Sequence, residues 1–310
     1  MTKVVYVLVS GEGDSFYEMF LFSLCSLRRH DPGREVEVVM DADTYGRIAG
    51  KGEPMLGDVT LTKVEIPLTL NDFQKSRYLK TRLRSIVRGD FLYLDTDTII
   101  CDPLDGIDEI AADIAAVSDE NGPLKLIKES SRKDRDQAGF EDLRGVPFFN
   151  GGVFFVRETE AAGRFFDIWH DRWLQSVSNG VSKDQPALCQ ANYETGFLIK
   201  EIPGIWNCQV CSVVGPHYIP EAKVIHYYAS FSTFEREVII PHVKESGGVD
   251  QTAEAIAASP REWWMDYYRK DRSRRAKLRY SGLMRVLSSF PALFSLTRSL
   301  VASAFRIKSN

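Results

Sequence analysis

Several protein classes are excluded by what this sequence lacks. No stretch reaches the ~18 uninterrupted apolar residues of a membrane-spanning helix. The apolar run at residues 2–11 is too short for a secretory signal peptide and has no small-residue cleavage pattern, so it reads as a buried first strand. Cysteine is sparse: Cys25, Cys101, Cys189, Cys208 and Cys211 are odd in number and scattered. That argues against a disulfide framework and for a reducing compartment. Cys208 and Cys211 form a C-x-x-C with no second pair, which disfavours a zinc ribbon and leaves redox chemistry as a minor alternative. The net charge of −4 gives no whole-chain argument for a nucleic-acid partner. Internal repeats and low-complexity tracts are missing too.

What is present is ordinary globular material. Hydrophobic residues make up 44% and charged residues 26% of 310 positions, enough to bury a sizeable core. β-Branched apolar runs at 4–10, 35–40, 60–66 and 91–100 read as strands. Helical patterns fall between them at 15–29, 43–49 and 75–88. This alternation predicts an α/β fold with a mostly parallel, Rossmann-like central sheet and helices on both faces. Residues 119–146 are polar and charged, and read as a mobile surface segment, a lid or acceptor-side loop. Strand pattern returns at 148–157. A helix at 160–174 follows, whose Phe165, Phe166, Trp169 and Trp173 read as core packing.

The strongest chemical signal lies in the run at 91–100. On one continuous strand Asp95 and Asp97 share a face. Two carboxylates in an apolar strand are poorly solvated, and burying them uncompensated is costly. A divalent cation resolves the conflict, and oxygen ligands suit Mn2+ or Mg2+. Asn150, Gly151 and Gly152 read two ways: as a hairpin turn, or as glycines admitting a ligand close to the backbone beside a useful amide. Ser182 and Gln185 match a capping box with Pro186 in the first turn, which would present Asp184 and Gln185 at a helix N-terminus. His226 ends a short apolar strand, as a satisfied core residue or as a ligand. The basic helix with Lys75, Arg77, Lys80, Arg82, Arg84 and Arg88 is a solvated face or a diphosphate-neutralising one.

In their order and spacing these motifs resemble glycosyltransferase family 8, over residues 3–228. The resemblance is carried by Thr81, Arg82 and Leu83, then the Tyr93–Asp97 run, Phe149 to Gly152, Asp184 with Gln185, and Ile225 with His226. It implies a GT-A nucleotide-diphospho-sugar transferase fold and transfer from a UDP-sugar with retention at the anomeric carbon. It implies that Asp95, Asp97 and His226 bind Mn2+ (or Mg2+), which bridges the donor diphosphate. It implies that Arg82 contacts the donor, that Asn150, Asp184 and Gln185 line the sugar pocket, and that Asp184 or Gln185 shields the oxocarbenium-like sugar. Gly151 belongs to the same donor site. The base-binding candidates are Ser10, the glycines and acids at 11–14, and Tyr17. The chain departs from the family after His226: Ala229 stands where glycine is usual and a phosphate-binding lysine is missing. Lys75, Arg77, Lys80 and Arg236 are the candidate substitutes.

From Arg269 to Lys308 there are eleven Lys/Arg and one Asp. Leu283, Val286, Leu287, Phe290, Phe294, Leu300, Val301 and Phe305 form an apolar stripe, and Pro291 restarts the helix. The sequence thus divides into a transferase domain at 1–258 and a basic amphipathic helical tail at 259–310. The tail covers the core or lies on an anionic membrane surface. The expected activity is hexose transfer to a glycan or lipid-linked acceptor in cell-surface polysaccharide or lipopolysaccharide synthesis, at the cytoplasmic side of the membrane. The alternatives are a sugar nucleotidyltransferase and a non-catalytic membrane-bound scaffold.

Overall fold

The computed structural model describes residues 1–11, 15–50, 54–67, 69–124, 129–140, 145–228, 239–246 and 248–306. The elements run β1 (Lys3–Leu8), α1 (Phe16–His30), β2 (Val36–Asp41), α2 (Ala42–Ile48), β3 (Val59–Val64), α3 (Asp72–Thr81), α4 (Leu83–Ile86), β4 (Phe91–Leu94), β5 (Thr98–Ile100) and β6 (Ile114–Ser118). They continue with α5 (Glu129–Gln137), β7 (Phe149–Val156), α6 (Glu160–Ser178), α7 (Gln185–Glu194), β8 (Ile199–Glu201), β9 (Cys208–Gln209) and β10 (Val224–His226). The last helices are α8 (Ile240–Ser246), α9 (Val249–Ala258), α10 (Pro260–Arg269), α11 (Arg272–Leu287) and α12 (Pro291–Arg306).

The main sheet has seven strands in the order β3-β2-β1-β4-β7-β6-β8. β7 is antiparallel to both its neighbours, β4 and β6, and the other pairs are parallel. Apart from Lys3 at the start of β1, the central strands are buried along their whole length, as the helices on both faces require. On one face α6 brings Phe165, Phe166, Trp169 and Trp173 against Phe91, Tyr93 and Phe154, the core packing expected from helical spacing. On the other, α1 lays Phe20, Leu24 and Leu27 on Tyr6, Leu92 and Leu94.

Four segments differ from their sequence patterns. The run at 91–100 is not one strand. β4 stops at Leu94, and the chain crosses to a second, three-stranded sheet of order β5-β10-β9. The basic helix starts earlier, at Asp72, because Asn71 and Gln74 close a reciprocal capping box, and it breaks at Arg82. Asn150, Gly151 and Gly152 form no hairpin, since β7 runs straight through them. The polar segment at 119–146 is not simply a mobile surface loop. It contains α5, and Arg135, Ala138 and Phe140 are buried because Ala138 and Phe140 join the main core. Residues 125–128 and 141–144 of that segment lie outside the described residues.

The tail begins inside the core. Trp264 and Tyr268 of α10 are buried with Met19 and Phe22 of α1 and Ile225 of β10. The Tyr268 hydroxyl donates to the Val210 carbonyl at 2.5 Å. Met284 of α11 and Phe294 of α12 are buried beside Val214. The opposite side of α11 and α12 exposes Leu283, Val286, Phe290, Leu293 and Leu296. The side chains of Leu300, Val301 and Phe305 lie outside the described residues.

Candidate active site

The link between the two sheets builds the site. Asp95 still pairs with β7, its N–H donating to the Gly152 carbonyl at 2.8 Å. Asp97 lies just before β5, where its carbonyl accepts from Tyr227 N–H at 3.1 Å. β5 and β10 run antiparallel, with His226 opposite Thr98. The two carboxylates therefore converge across a corner of the chain and not through strand alternation. His226 Nε2 lies 3.2 Å from Asp97 Oδ1 and 3.9 Å from Asp95 Oδ2. One ligand atom from each of Asp95, Asp97 and His226 falls within 4.8 Å of the others.

Backbone hydrogen bonding determines which imidazole nitrogen faces the carboxylates. Gly152 N–H donates to Asn150 Oδ1 at 2.9 Å, which fixes that atom as the acceptor. Asn207 Nδ2 donates to the same oxygen at 2.9 Å, so Asn207 Oδ1 turns to His226 Nδ1 at 3.1 Å. The imidazole proton then sits on Nδ1, and the Nε2 lone pair points at the two carboxylates. This is the ligand tautomer held by an outer partner. Asp95 is held in the same way. Its Oδ1 accepts from Tyr93 OH at 2.5 Å and from Lys80 Nζ at 3.3 Å, leaving Oδ2 on the His226 side. A Cβ on Gly152 would collide with the His226 ring and come within 2.8 Å of Asp95 Oδ2, so glycine is required there. An oxygen-plus-imidazole set of this kind fits Mn2+ or Mg2+.

Lys80 joins this cluster to the helix start at α7. It is buried, and its ammonium lies 3.3 Å from both Asp95 Oδ1 and Asp184 Oδ2. Arg77 Nε is 3.8 Å from Asp184 Oδ1. Burial pushes the Asp184 carboxyl up, but the charges of Lys80 and Arg77 outweigh it and hold it below the ordinary carboxylate value. Asp184 Oδ2 is buried, and its charged partner is the Lys80 ammonium at 3.3 Å. Asp184 itself takes the N-cap position of α7, with Gln185 first in the helix and Pro186 in its first turn. The capping box expected from Ser182 does not form. Ser182 Oγ instead accepts from Gln74 Nε2 at 3.2 Å.

The remaining predicted residues separate into two groups. Asn150 and Gly151 are in the site, Gly151 beside Asp184, Leu188 and Lys80. Asn150 is a frame residue, since its Nδ2 donates to Tyr228 OH at 2.9 Å and Asp119 Oδ1 at 3.3 Å. Lys75 is engaged elsewhere, 3.3 Å from each of Asp41, Asp43 and Asp72. Arg82 faces away from the carboxylates. It donates to Tyr78 OH at 2.9 Å and helps to lower the pKa of His170, behind burial as the main cause. Ser10 is buried, its N–H donating to Thr44 Oγ1 at 3.1 Å and its carbonyl accepting from Arg47. Residues 12–14, Ala229 and Arg236 lie outside the described residues, and Tyr17 packs beside Phe20. Sequence patterns gave no sign of roles for Asn207, Gln209 or Tyr228, although they lie beside or within the C-x-x-C and the His226 run. The C-x-x-C carries no redox site: Cys208 is fully buried with its thiol pushed well above the ordinary value, and Cys211 donates to the Tyr227 carbonyl.

A carboxylate pair and an imidazole thus meet just beyond the carboxyl end of β4, beside the buried ammonium of Lys80. A family model described as nucleotide-diphospho-sugar transferase matches residues 35–205, from β2 to just past β8. The chain belongs to this family. As a nucleotide-diphospho-sugar transferase it is a glycosyltransferase, and its fold is shared with solved members of that enzyme class. Mouse xyloside xylosyltransferase 1 in its apo form aligns over 74% of this chain and 98% of its own, at 13% identity and a TM-score of 0.50. The apo form of the glycosyltransferase GlyE from Streptococcus pneumoniae TIGR4 aligns over 86% of this chain and 64% of its own, at 15% identity and a TM-score of 0.52. A comparison with curated proteins finds no match.

Proposed function

We propose that this transferase moves a hexose from a UDP-sugar to a glycan or lipid-linked acceptor, with retention, in the manner of glycosyltransferase family 8. The observation that carries the reading is the convergence of Asp95, Asp97 and the Nε2 lone pair of His226. These three residues would hold Mn2+ or Mg2+, which would supply charge neutralisation to a departing nucleoside diphosphate. Tyr93 and Lys80 orient Asp95, and Asn207 orients His226. Asp184, held ionised by Lys80 and Arg77 at the N-cap of α7, accepts from a sugar hydroxyl, and Gln185 follows it as the first residue of that helix. Of the candidate substitutes for the missing phosphate-binding lysine, Lys80 and Arg77 are the ones beside the Asp95 and Asp184 carboxylates, which supports them in that role.

The tail supports a membrane-side location for the acceptor. Leu293 and Leu296 of α12 are 52% and 62% exposed, and Val286 of α11 is 65% exposed. With the basic residues of α11, these apolar side chains suit an anionic lipid surface. No helix among the described residues is long and apolar enough to cross a membrane. Thermal melting with UDP, with and without Mn2+, tests the donor reading, because a ligand specific for the folded state must raise the midpoint. A Mn2+-dependent rise with UDP that disappears in Asp95→Asn/Asp97→Asn is the expected result. The absence of any nucleotide-dependent rise refutes it.

A further inference from the structure

A second concavity opens on the same edge of the main sheet. β4, β6 and β8 point the same way, because β4 and β6 each run antiparallel to β7 and β8 runs parallel to β6. Their carboxyl ends are Leu94, Ser118 and Glu201, so the cleft beyond Ser118 and Glu201 shares an edge with the site beyond Leu94. Its volume is about 500 Å3, within the range of small-molecule sites. Strand ends form one wall. The other wall comes from the tail, with Arg285, Ser288 and Ser289 at the end of α11. Tyr218 and Asn121 also line it, together with apolar Val117, Leu124 and Ile202, and Gly204 lets Tyr218 and Asn121 close in, since a Cβ there would meet the Tyr218 ring at 2.6 Å.

One glutamine separates this cleft from the donor site. Gln209 Nε2 donates to the Ser118 carbonyl at 2.9 Å, and Gln209 N–H donates to Asn121 Oδ1 at 2.8 Å. Gln209 Oε1 accepts from Tyr228 OH at 2.5 Å, and that hydroxyl accepts from Asn150. The turn between the two spaces is left-handed at Glu120 (φ 58°) and Asn121 (φ 53°). The tail braces it from outside: Arg298 pairs with Glu120 at 2.9 Å, and Phe294 packs 3.5 Å from the position of a Cβ on Gly122.

The lining combines a guanidinium, a carboxylate, a primary amide, serine hydroxyls and a phenol ring. Among the described residues no carboxylate lies within ion-pair distance of Arg285, whose Nη1 donates to Ser288 Oγ at 3.0 Å. Donors and acceptors of both kinds around an aromatic ring match a neutral, hydroxyl-rich ligand better than a phosphate, which Glu201 would repel. We propose that this cleft binds sugar residues of the acceptor, and that Arg285, Ser288 and Ser289 of the C-terminal tail supply part of that recognition. Calling the bound carbohydrate the acceptor rests on the transferase reading. The tail then has two roles on two faces, with its inner face reading the glycan while its outer face remains exposed.

The test is saturation-transfer NMR on the full chain with the methyl α- and β-glycosides of glucose, galactose and N-acetylglucosamine. Ser289→Trp fills the cleft from an exposed rim position, and Arg285→Ala removes the guanidinium. The expected result is transfer to at least one glycoside in the parent protein, reduced by about tenfold in affinity in both variants. UDP and Mn2+ melting on the same samples reports the donor site separately. If no glycoside binds the parent, or if binding survives both substitutions, the cleft proposal is overturned whatever the nucleotide does. If glycoside binding is lost in the variants while UDP raises no melting point, the cleft stands as a carbohydrate site and the UDP-sugar donor reading falls.

Discussion

Replacing Lys80 by methionine should strengthen Mn2+ binding. Lys80 places a positive charge 3.3 Å from Asp95 Oδ1, on the carboxylate that is to hold a cation. At an effective dielectric of ~20 that pair attracts by about 5 kcal/mol. Asp95 is 29% exposed, so solvent screening and desolvation offset much of this. If a third to a half passes to a competing cation, the gain is about 1.5–2.5 kcal/mol, or roughly ten- to seventyfold in affinity. Asp95 should keep its orientation, because Tyr93 OH still donates to Oδ1 at 2.5 Å. The loss of a buried partner costs ~3–5 kcal/mol when nothing replaces it. Arg77 remains 3.8 Å from Asp184, which should reduce the loss of stability to about 2 kcal/mol. Mn2+ binding is read by electron paramagnetic resonance of the free ion, with circular dichroism to confirm folding. Lys80→Arg, which keeps the charge, should stay within about twofold of the parent. A folded Lys80→Met protein that binds Mn2+ no more tightly than the parent would refute the argument that Lys80 and the metal compete for Asp95.

Gly152→Ala should abolish Mn2+ binding and the Mn2+-dependent part of the UDP shift, because the new methyl group occupies space taken by the His226 ring and Asp95. Overpacking should also lower stability by about 1–3 kcal/mol, and an unchanged Mn2+ affinity would contradict the placement of His226. Arg82→Gln should raise the pKa of His170, whose value is lowered first by burial and then by Arg82. Proton NMR titration of the imidazole reads this directly, and an unmoved value would mean that Arg82 points elsewhere. Asp184→Asn should flatten the acid limb of stability. The folded pKa of Asp184 is depressed, so its contribution is fully present above the unfolded value of ~3.9 and is lost as the pH falls through the folded value. Melting points of parent and variant should converge toward low pH. On the tail, Val286→Ser/Leu296→Ser should weaken co-sedimentation with phosphatidylglycerol vesicles and leave the melting point nearly unchanged, since both side chains are more than half exposed. Equal sedimentation would remove the outer face as a lipid contact.

The α/β alternation was legible because the central strands bury both faces and the long helices carry an apolar stripe, so periodicity carries most of the fold. β1, α1, β2, α2 and β3 lie within two residues of their sequence patterns. The Asp95, Asp97 and His226 cluster was legible for a partly mistaken reason. Asp95 and Asp97 do converge, yet they do so across a break between two sheets, which an unbroken apolar run cannot reveal. The cation facing them was harder to identify. Lys75, Arg77, Lys80 and Arg82 are equivalent as charges in a string, and helix phase alone decides which reaches Asp95. The capping box at Asn71 sets that phase: it starts α3 at Asp72 and turns Lys80 inward, while Arg82, two residues on and at the helix end, is left against Tyr78. Asn207 and Gln209 were not legible. Their roles come from pairing β10 with β9, a contact made by two-residue and three-residue strands without any pattern of their own. The orienting groups of such a site are thus fixed by tertiary pairing, whereas its ligands stand in local motifs. A substitution at Asn207 should therefore perturb metal binding as strongly as one at a ligand with no motif to announce it, because without its amide oxygen nothing holds the His226 proton on Nδ1.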